Sequence, residues 1–232
     1  MTTSSDSRLL VLDRIRTATQ GTSKSTYASL QRSYVRSGSL GGAARVKLMI
    51  ERLREYDADV AECAPDQLPA TIAVCLASSR RSKFVAPKGL PAAWLVAGFN
   101  WTIDNGLEHA EIELCEGVVT SSFAGIADSG TIVLHHSDSE GRRVISLLPD
   151  WHLCVLRASQ IVETLPEYFA RCPEPPMLAT YISGPSATAD IEMTRIKGVH
   201  GPRFLNVILV RDEVQTATEQ SDISQAGTYG SF

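Results

Sequence analysis

Apolar residues along this chain recur with two different periods, and the two periods alternate. Helical spacing, with apolar positions three or four residues apart, predicts helices over 7–18, 43–56 and 66–78. Short runs of aliphatic and β-branched residues predict strands over 58–63, 83–86, 92–98, 130–135, 144–148, 152–156, 178–182 and 205–210. Two further helices are predicted, over the small residues 117–127 and over 159–172, where Ile161, Leu165 and Phe169 would face inward.

This alternation predicts an α/β fold. Strands that are apolar on both faces form a mostly parallel sheet covered on both sides, and right-handed crossovers make it a three-layer α/β/α sandwich. Ligands of such sheets bind beyond the carboxyl ends of the strands, where loops lead into helices. We expect residues 43–211 to form this domain, residues 1–42 to form a helix and an irregular connector packed on it, and residues 212–232 to form a mobile acidic tail.

Charge is distributed unevenly between the body and this tail. The formal net charge is −4, and after Arg211 the chain has four acidic residues and no basic one. The remaining acids and bases are equal in number, so the body has no excess positive charge for nucleic acid. The chain also has no run of about 18 apolar residues, as a membrane span requires, and no apolar leader segment.

The cysteines indicate a reducing compartment. Their number is five, they are widely spaced, and no C-x-x-C occurs. This pattern is typical of buried thiols in a cytoplasmic protein and predicts neither a structural metal nor an iron–sulfur cluster held by this chain. The chain also lacks G-x-G-x-x-G, G-K-[ST], H-E-x-x-H and G-x-S-x-G, and with them the usual nucleotide, zinc-protease and hydrolase signatures.

Two loops in the second half carry candidate acid–base groups. In A-D-S-G-T, Asp128 is a candidate nucleophile or base, and the Ser129 hydroxyl with the Gly130 and Thr131 amides could bind a carboxylate. The alternative is an ordinary tight turn, which the same residues favour. In P-D-W-H, Asp150 and His152 could pair for proton transfer, because residues two apart in extended chain point to one side. A turn-capping aspartate and a structural histidine are the alternative.

Two further loops suit an anion. The segment S-G-P-S-A-T-A-D-I-E follows a predicted strand, and Ser186 or Thr188 could cap a helix whose free amides attract a carboxylate. The segment K-G-V-H-G-P sets a histidine between two glycines, where it can project into a cleft. Asp190 and Glu192 either complement the helix dipole or act on a ligand. The binding candidates from these loops are Ser183, Gly184, Ser186, Thr188, Asp190, Glu192, Gly198 and Gly201, and the catalytic candidate is His200.

The same motifs, in this order, resemble one known family. A-G-I-A-D-S-G-T-I-V-L, L-L-P-D-W-H, I-S-G-P-S-A-T-A-D-I-E and G-V-H-G-P together are similar to the lactate utilization protein C, or LUD domain, family over about residues 117–210. The resemblance implies a fold like that of the NagB/RpiA/CoA-transferase superfamily. It also implies a role in oxidising L-lactate to pyruvate beside sibling proteins, at least one of which carries iron–sulfur clusters. The superfamily's glutamate nucleophile has no established counterpart here, so a transferase is not implied.

The leading hypothesis is therefore a cytoplasmic subunit of an L-lactate-oxidising system that binds a small hydroxy or keto acid. The loops at 183–186 and 129–131 would hold the carboxylate, and His200 or the Asp150–His152 pair would handle the hydroxyl proton. Two alternatives stay open: a noncatalytic assembly or regulatory subunit, and an autonomous enzyme acting on a phosphorylated sugar, a folate or an acyl-CoA. The sequence also leaves open whether the chain is a catalytic component of a lactate dehydrogenase or oxidase complex, and whether it forms a homo-oligomer.

Overall fold

The computed structural model describes residues 4–21, 29–31, 33–174, 176–188, 196–197 and 201–212. The chain divides into two compact units, Met1–Val35 and Arg36–Phe232. The first contains helix α1 (Ser4–Thr19), which confirms the helix predicted over 7–18. The packing of this helix on the domain and the domain boundaries stay predictions, and the tail beyond Asp212 lies outside the described residues.

The second unit contains four helices and twelve strands among its described residues. The helices are α2 (Gly42–Glu55), α3 (Leu68–Ser78), α4 (His109–Glu113) and α5 (Leu165–Arg171). The strands are β1 (Asp59–Cys63), β2 (Lys83–Pro87), β3 (Asn100–Asp104), β4 (Gly117–Thr120), β5 (Ala124–Ile126), β6 (Thr131–Leu134), β7 (Trp151–Arg157), β8 (Ile161–Val162), β9 (Thr180–Ile182), β10 (Ala187–Thr188), β11 (Ile196–Lys197) and β12 (Phe204–Val210).

Six of these strands form the main sheet, in the order β1-β12-β7-β4-β2-β3. Every neighbouring pair in it is parallel. A second sheet, in the order β8-β5-β6-β9, is mixed, and β10 pairs with β11 as a short antiparallel ladder. The predicted α/β fold with a mostly parallel sheet is confirmed.

The two faces of the main sheet are covered differently. On one face, Ile72 and Leu76 of α3 pack against Leu153 and Val155 of β7. On the opposite face, the buried side of α2 packs together with the second sheet against Cys154 and Leu156, so this layer is part helix and part sheet. Because side chains alternate along a strand, His152 shares the second face with Cys154. His152 therefore lies between the main sheet and the layer that contains the second sheet.

Several predicted elements are wrong. Residues 117–127 form β4 and β5 instead of a helix, and their small residues serve close packing: a Cβ on Gly117 would lie 2.9 Å from the Trp151 ring, and one on Gly125 would lie 2.9 Å from Leu156. The strands predicted over 92–98 and 144–148 are instead short 3₁₀ helices, Ala92–Trp94 and Arg143–Ser146. Strand β3 has no counterpart among the predicted elements.

The helix predicted over 159–172 is wrong in its first half. Residues Ala158–Gln160 form a 3₁₀ turn, β8 follows, and α5 begins only at Leu165. Thr164 caps α5 by accepting a hydrogen bond from the Glu167 amide, and a proline in the first turn favours this start. Ile161 is buried as predicted, but Leu165 and Phe169 are exposed, and Tyr168 is the residue that α5 buries.

Candidate functional site

A cavity of about 320 Å³ lies at the amino ends of β7 and β12, beside the loop that follows β9. Its lining includes His152 from β7, Leu205 from β12 and the five residues 183–187 after β9. Gly201 and Pro202, which precede β12, complete one side. Five sequence candidates therefore meet in one cavity: His152, Ser183, Gly184, Ser186 and Gly201.

This cavity does not lie at the edge of the sheet where the sequence analysis predicts a ligand site. The expected position is beyond the carboxyl ends of the parallel strands. The segment 149–152 instead leads into the start of β7, and residues 201–202 precede β12, so both lie at the amino ends of these strands. A second cavity, of about 450 Å³, lies at the carboxyl ends of β2 and β3. His136 lines this second cavity, and its Nε2 lies 2.8 Å from Oγ1 of Thr180, which lines the first.

The loop after β9 is held by contacts with two other parts of the chain. Gly184 has a left-handed φ of 85°, and a Cβ on it would lie 2.6 Å from Cβ of Tyr56, at the end of α2. The Ser186 amide donates to the Pro202 carbonyl at 2.9 Å. The loop is therefore joined to the segment before β12, and only glycine fits where it passes α2.

The A-D-S-G-T segment forms the tight turn between β5 and β6. Gly130 has a φ of 60°, and its amide donates to the Ala127 carbonyl. The Ser129 Oγ lies 2.7 Å from Thr131 Oγ1, which lies 2.8 Å from Ser183 Oγ. The turn is thereby connected to the wall of the cavity, although its hydroxyls bind one another. Asp128 is exposed and is not among the lining residues, so its catalytic role stays a prediction.

Asp150 and His152 do not form the predicted pair. Asp150 accepts hydrogen bonds from Arg81 at 3.1 Å and from both Nε and Nη2 of Arg203, the latter at 3.0 Å. The hydrogen bond from Arg203 lowers the pKa of Asp150 despite partial burial. The geometric argument for the pair fails because Asp150 precedes the first residue of β7, so strand alternation does not govern its direction.

His152 is instead buried against β4. Its side chain is almost fully inaccessible, and Nε2 lies 2.8 Å from Oγ1 of Thr120. Burial lowers the pKa of His152 to about 4, because the imidazolium would lose its hydration. The ring is therefore neutral at pH 7. Thr120, the one polar residue of the G-V-V-T strand, is a contact that the sequence analysis missed.

The predicted helix cap at Ser186 is also wrong. Ala187 and Thr188 form strand β10, which pairs antiparallel with Ile196 and Lys197 of β11. The chain after Ser186 therefore continues as a strand and not as a helix. Any role of a helix dipole beyond this point remains a prediction. The side chain of Thr188, together with Asp190, Glu192, Gly198 and His200, lies outside the described residues.

Arg143 is the cavity residue that the sequence analysis most clearly missed. It begins the 3₁₀ helix before β7 and lines the cavity, with Ser146 from the same turn. Its neighbour Arg142 points elsewhere: Nε and Nη2 of Arg142 bind the buried Asp104 carboxylate at 2.8 and 2.6 Å. Among the described residues, no carboxylate pairs with Arg143. The signal available in the sequence was the R-R pair that follows Gly141.

In the ranges described above, no three His, Cys, Asp or Glu side chains are grouped so as to hold a metal ion. Nor does any helix within those ranges combine the length and the apolar character that a bilayer span needs.

Comparison with known proteins identifies the family. Residues 102–210 match the LUD domain. A lactate utilization protein C from Deinococcus radiodurans is 41% identical over 164 residues, which cover 69% of this chain and 76% of that protein. The protein of the same name from Bacillus subtilis is 37% identical over 122 residues, and the chain spans about half of its length.

A solved structure agrees with the same assignment. The crystal structure of a DUF162 family protein from Deinococcus radiodurans matches with a TM-score of 0.64 and 36% identity, over 74% of this chain and 99% of that one. The resemblance inferred from the four motifs is thus confirmed by sequence and by fold. The chain belongs to the lactate utilization protein C family of LUD domain proteins.

Proposed function

We propose that this chain serves lactate utilization by binding a small hydroxy or keto acid, such as L-lactate or pyruvate, in the cavity between the two sheets. The names of the relatives support the pathway. The observation that carries the choice of ligand is Arg143, a cation in the lining of a small cavity beside a loop of serine and glycine residues.

Arg143 supplies the charge that a carboxylate requires. A guanidinium presents parallel N–H donors that match the two oxygens of a carboxylate. Arg142 demonstrates this geometry within the same protein, because it binds Asp104 through two nitrogens. Arg143 has no such partner in the described part of the chain, and we assign the ligand carboxylate to it.

The rest of the lining offers groups that suit a small hydroxy acid. The volume of about 320 Å³ is ample for such a ligand. Ser183 and Ser186 offer hydroxyls, and Gly184 and Gly201 let a ligand approach the backbone closely. Leu147, Pro185 and Leu205 add apolar surface for a methyl group. A methyl group beside a carboxylate and a hydroxyl is the composition of lactate.

Oxidation of lactate also needs an electron acceptor. Converting the alcohol to a ketone removes two electrons and two protons, and we propose that iron–sulfur partner proteins take up the electrons while this chain holds the organic acid. The support for these partners is the family resemblance. The five cysteines are free thiols, which supports our placing the protein in the reducing cytoplasm.

The binding step is tested by calorimetric titration of the purified chain with L-lactate and with pyruvate. Arg143→Ala is expected to weaken binding at least tenfold, the loss of about 1.4 kcal/mol or more that follows from removing a charge-assisted hydrogen bond. Lys47→Ala removes an exposed cation on α2, outside the cavity, and should bind like the wild type. Absence of binding by the wild-type chain, or equal affinities in all three proteins, would overturn the proposal.

The pathway is tested in a deletion strain grown on L-lactate as sole carbon source. Complementation with the wild-type gene should restore growth, and complementation with Arg143→Ala should not. If Arg143→Ala abolishes binding but restores growth, ligand binding by this chain is dispensable, and a noncatalytic assembly subunit becomes the better description. Co-purification with iron–sulfur proteins from the same strain tests the proposed partners.

A further inference from the structure

A chain of buried hydrogen bonds runs from His152 into strands β4 and β7. His152 Nε2 lies 2.8 Å from Thr120 Oγ1, and Thr120 Oγ1 lies 3.8 Å from the Cys154 sulfur. That sulfur in turn lies 3.7 Å from the Ser121 carbonyl oxygen. His152, Thr120 and Cys154 are all buried. The hydroxyl, the thiol and a neutral imidazole each have one proton to donate. The series of hydrogen bonds therefore determines which ring nitrogen of His152 carries the proton.

The last acceptor in this series of hydrogen bonds, the Ser121 carbonyl, determines which group donates in each bond. A carbonyl oxygen only accepts, so the Cys154 thiol donates to Ser121. The sulfur can then accept the Thr120 hydroxyl proton, and because that hydroxyl has one proton, its oxygen accepts from Nε2–H of His152. The reverse arrangement, with Thr120 donating to Nε2, would leave both the Thr120 oxygen and the buried Cys154 sulfur without a donor. The arrangement with the ring proton on Nε2 pairs both of them.

The neutral ring therefore has its proton on Nε2 and a lone pair on Nδ1. Burial holds the pKa of His152 at about 4, so a second proton is absent at pH 7. Among the described residues, no hydrogen bond to Nδ1 is formed. His152 lines the cavity, and Nδ1 is the ring nitrogen that remains for a ligand.

Resting on the function proposed above, we infer that Nδ1 of His152 is a specificity-determining acceptor that makes the cavity select a 2-hydroxy acid over the corresponding 2-keto acid. The hydroxyl of L-lactate donates to this lone pair. The keto oxygen of pyruvate has no proton, so its lone pairs would face that of Nδ1. A site built to pair with a substrate hydroxyl disfavours an analogue that lacks it, because the buried polar group stays unpaired.

The test compares dissociation constants for L-lactate and pyruvate at pH 7. The wild-type chain should bind L-lactate about tenfold more tightly, a ratio that corresponds to about 1.4 kcal/mol. Thr120→Val keeps the shape of the side chain but removes the acceptor for Nε2–H, so it should move this ratio toward one. Thr164→Val is the matched control, because it removes a buried hydroxyl that caps α5 outside both the cavity and this hydrogen-bond network, and it should leave the ratio unchanged.

Nitrogen NMR of ¹⁵N-histidine-labelled protein gives a second, independent reading. The spectrum should show Nδ1 of His152 unprotonated and Nε2 protonated, and a protonated Nδ1 would overturn the inference. Equal affinities for L-lactate and pyruvate in the wild type would also overturn it while leaving the proposed function intact. If neither acid binds, both the inference and the proposed function fail.

Discussion

Thr131 Oγ1 and Ser183 Oγ lie 2.8 Å apart and join the β5–β6 turn to the loop after β9, across 52 residues of sequence. Ser129 extends this hydroxyl chain by a contact of 2.7 Å. Two motifs that the sequence predicted as separate carboxylate-binding loops are therefore one connected unit. Helix α2 packs against both, through Arg52 at Gly130 and Tyr56 at Gly184.

Breaking this connection should weaken the fold and the cavity together. Thr131→Val leaves Ser129 and Ser183 without their shared partner, and we expect the free energy of unfolding to fall by about 1–2 kcal/mol. Urea denaturation measures this change, and the affinity for L-lactate should fall with it. Thr71→Val, which removes a hydroxyl bound to the Gln67 carbonyl on the surface of α3, should change stability by less than about 0.5 kcal/mol. Equal stabilities of the two variants would contradict the role assigned to the hydroxyl chain.

The two glycines beside α2 should not tolerate a side chain. Alanine at Gly130 or at Gly184 has to adopt a left-handed φ and would place its Cβ 2.6 Å from a side-chain carbon of Arg52 or Tyr56. We expect each substitution to cost about 2–4 kcal/mol, the sum of the conformational penalty and the steric overlap.

Gly98→Ala separates these two contributions. Gly98 has a φ of 94°, yet a Cβ on it would have no neighbour within 4 Å. Its substitution should cost only about 1–2 kcal/mol, the conformational penalty alone. Thermal or urea unfolding of the three alanine variants provides the comparison, and a Gly98→Ala protein as unstable as the other two would show that the contacts with α2 are unimportant.

Asp150 should stabilise the protein in a pH-dependent way without affecting the ligand. Its folded-state pKa is lowered, mainly by the hydrogen bond from Arg203, so its contribution is complete above the unfolded pKa of about 3.9 and is lost as the pH falls through the folded value. Asp150→Asn should therefore reduce the free energy of unfolding at pH 7 by about 1–2 kcal/mol, since solvent weakens the pair. The difference from wild type should shrink below about pH 4.

The affinity of Asp150→Asn for L-lactate distinguishes this interpretation from a catalytic dyad. Asp150 binds arginines and makes no hydrogen bond to His152, so the affinity at pH 7 should equal that of the wild type. A large loss of affinity with unchanged stability would instead restore the acid–base pair suggested by the sequence.

The adjacent arginines should separate stability from binding. The Asp104 side chain is only 3% exposed, so Arg142→Ala leaves a buried carboxylate without its cation and should cost about 2–4 kcal/mol of stability. Arg143→Ala removes a side chain from the cavity lining and should change stability by less than about 0.5 kcal/mol while weakening L-lactate binding. Chemical denaturation of both variants, combined with the L-lactate titration, measures the two effects. Similar losses of stability in the two variants would contradict a structural role for Arg142 and a binding role for Arg143.

Much of the fold followed from local pattern. The aliphatic runs at β6, β7 and β12 and the apolar face of α2 were predictable from the sequence, because each is buried along most of its length. The helix predicted over residues 117–127 was wrong, because small residues such as Gly and Ala suit a closely packed strand as well as a helix. The strand predicted over residues 144–148 was wrong, because a single buried helical turn has the same apolar composition as a short strand.

The sequence by itself determined the family, the α/β class and four of the loops that approach the cavity, because these rest on motif order and hydrophobic period, which are local properties. Only the tertiary structure decided which groups meet. Arg81 reaches Asp150 across 69 residues, and Thr120 reaches His152 across 32, through strand neighbours that no local spacing reveals. It also assigned Arg142 to a buried carboxylate and Arg143 to the cavity, a difference between identical neighbours that depends on which way a single turn faces.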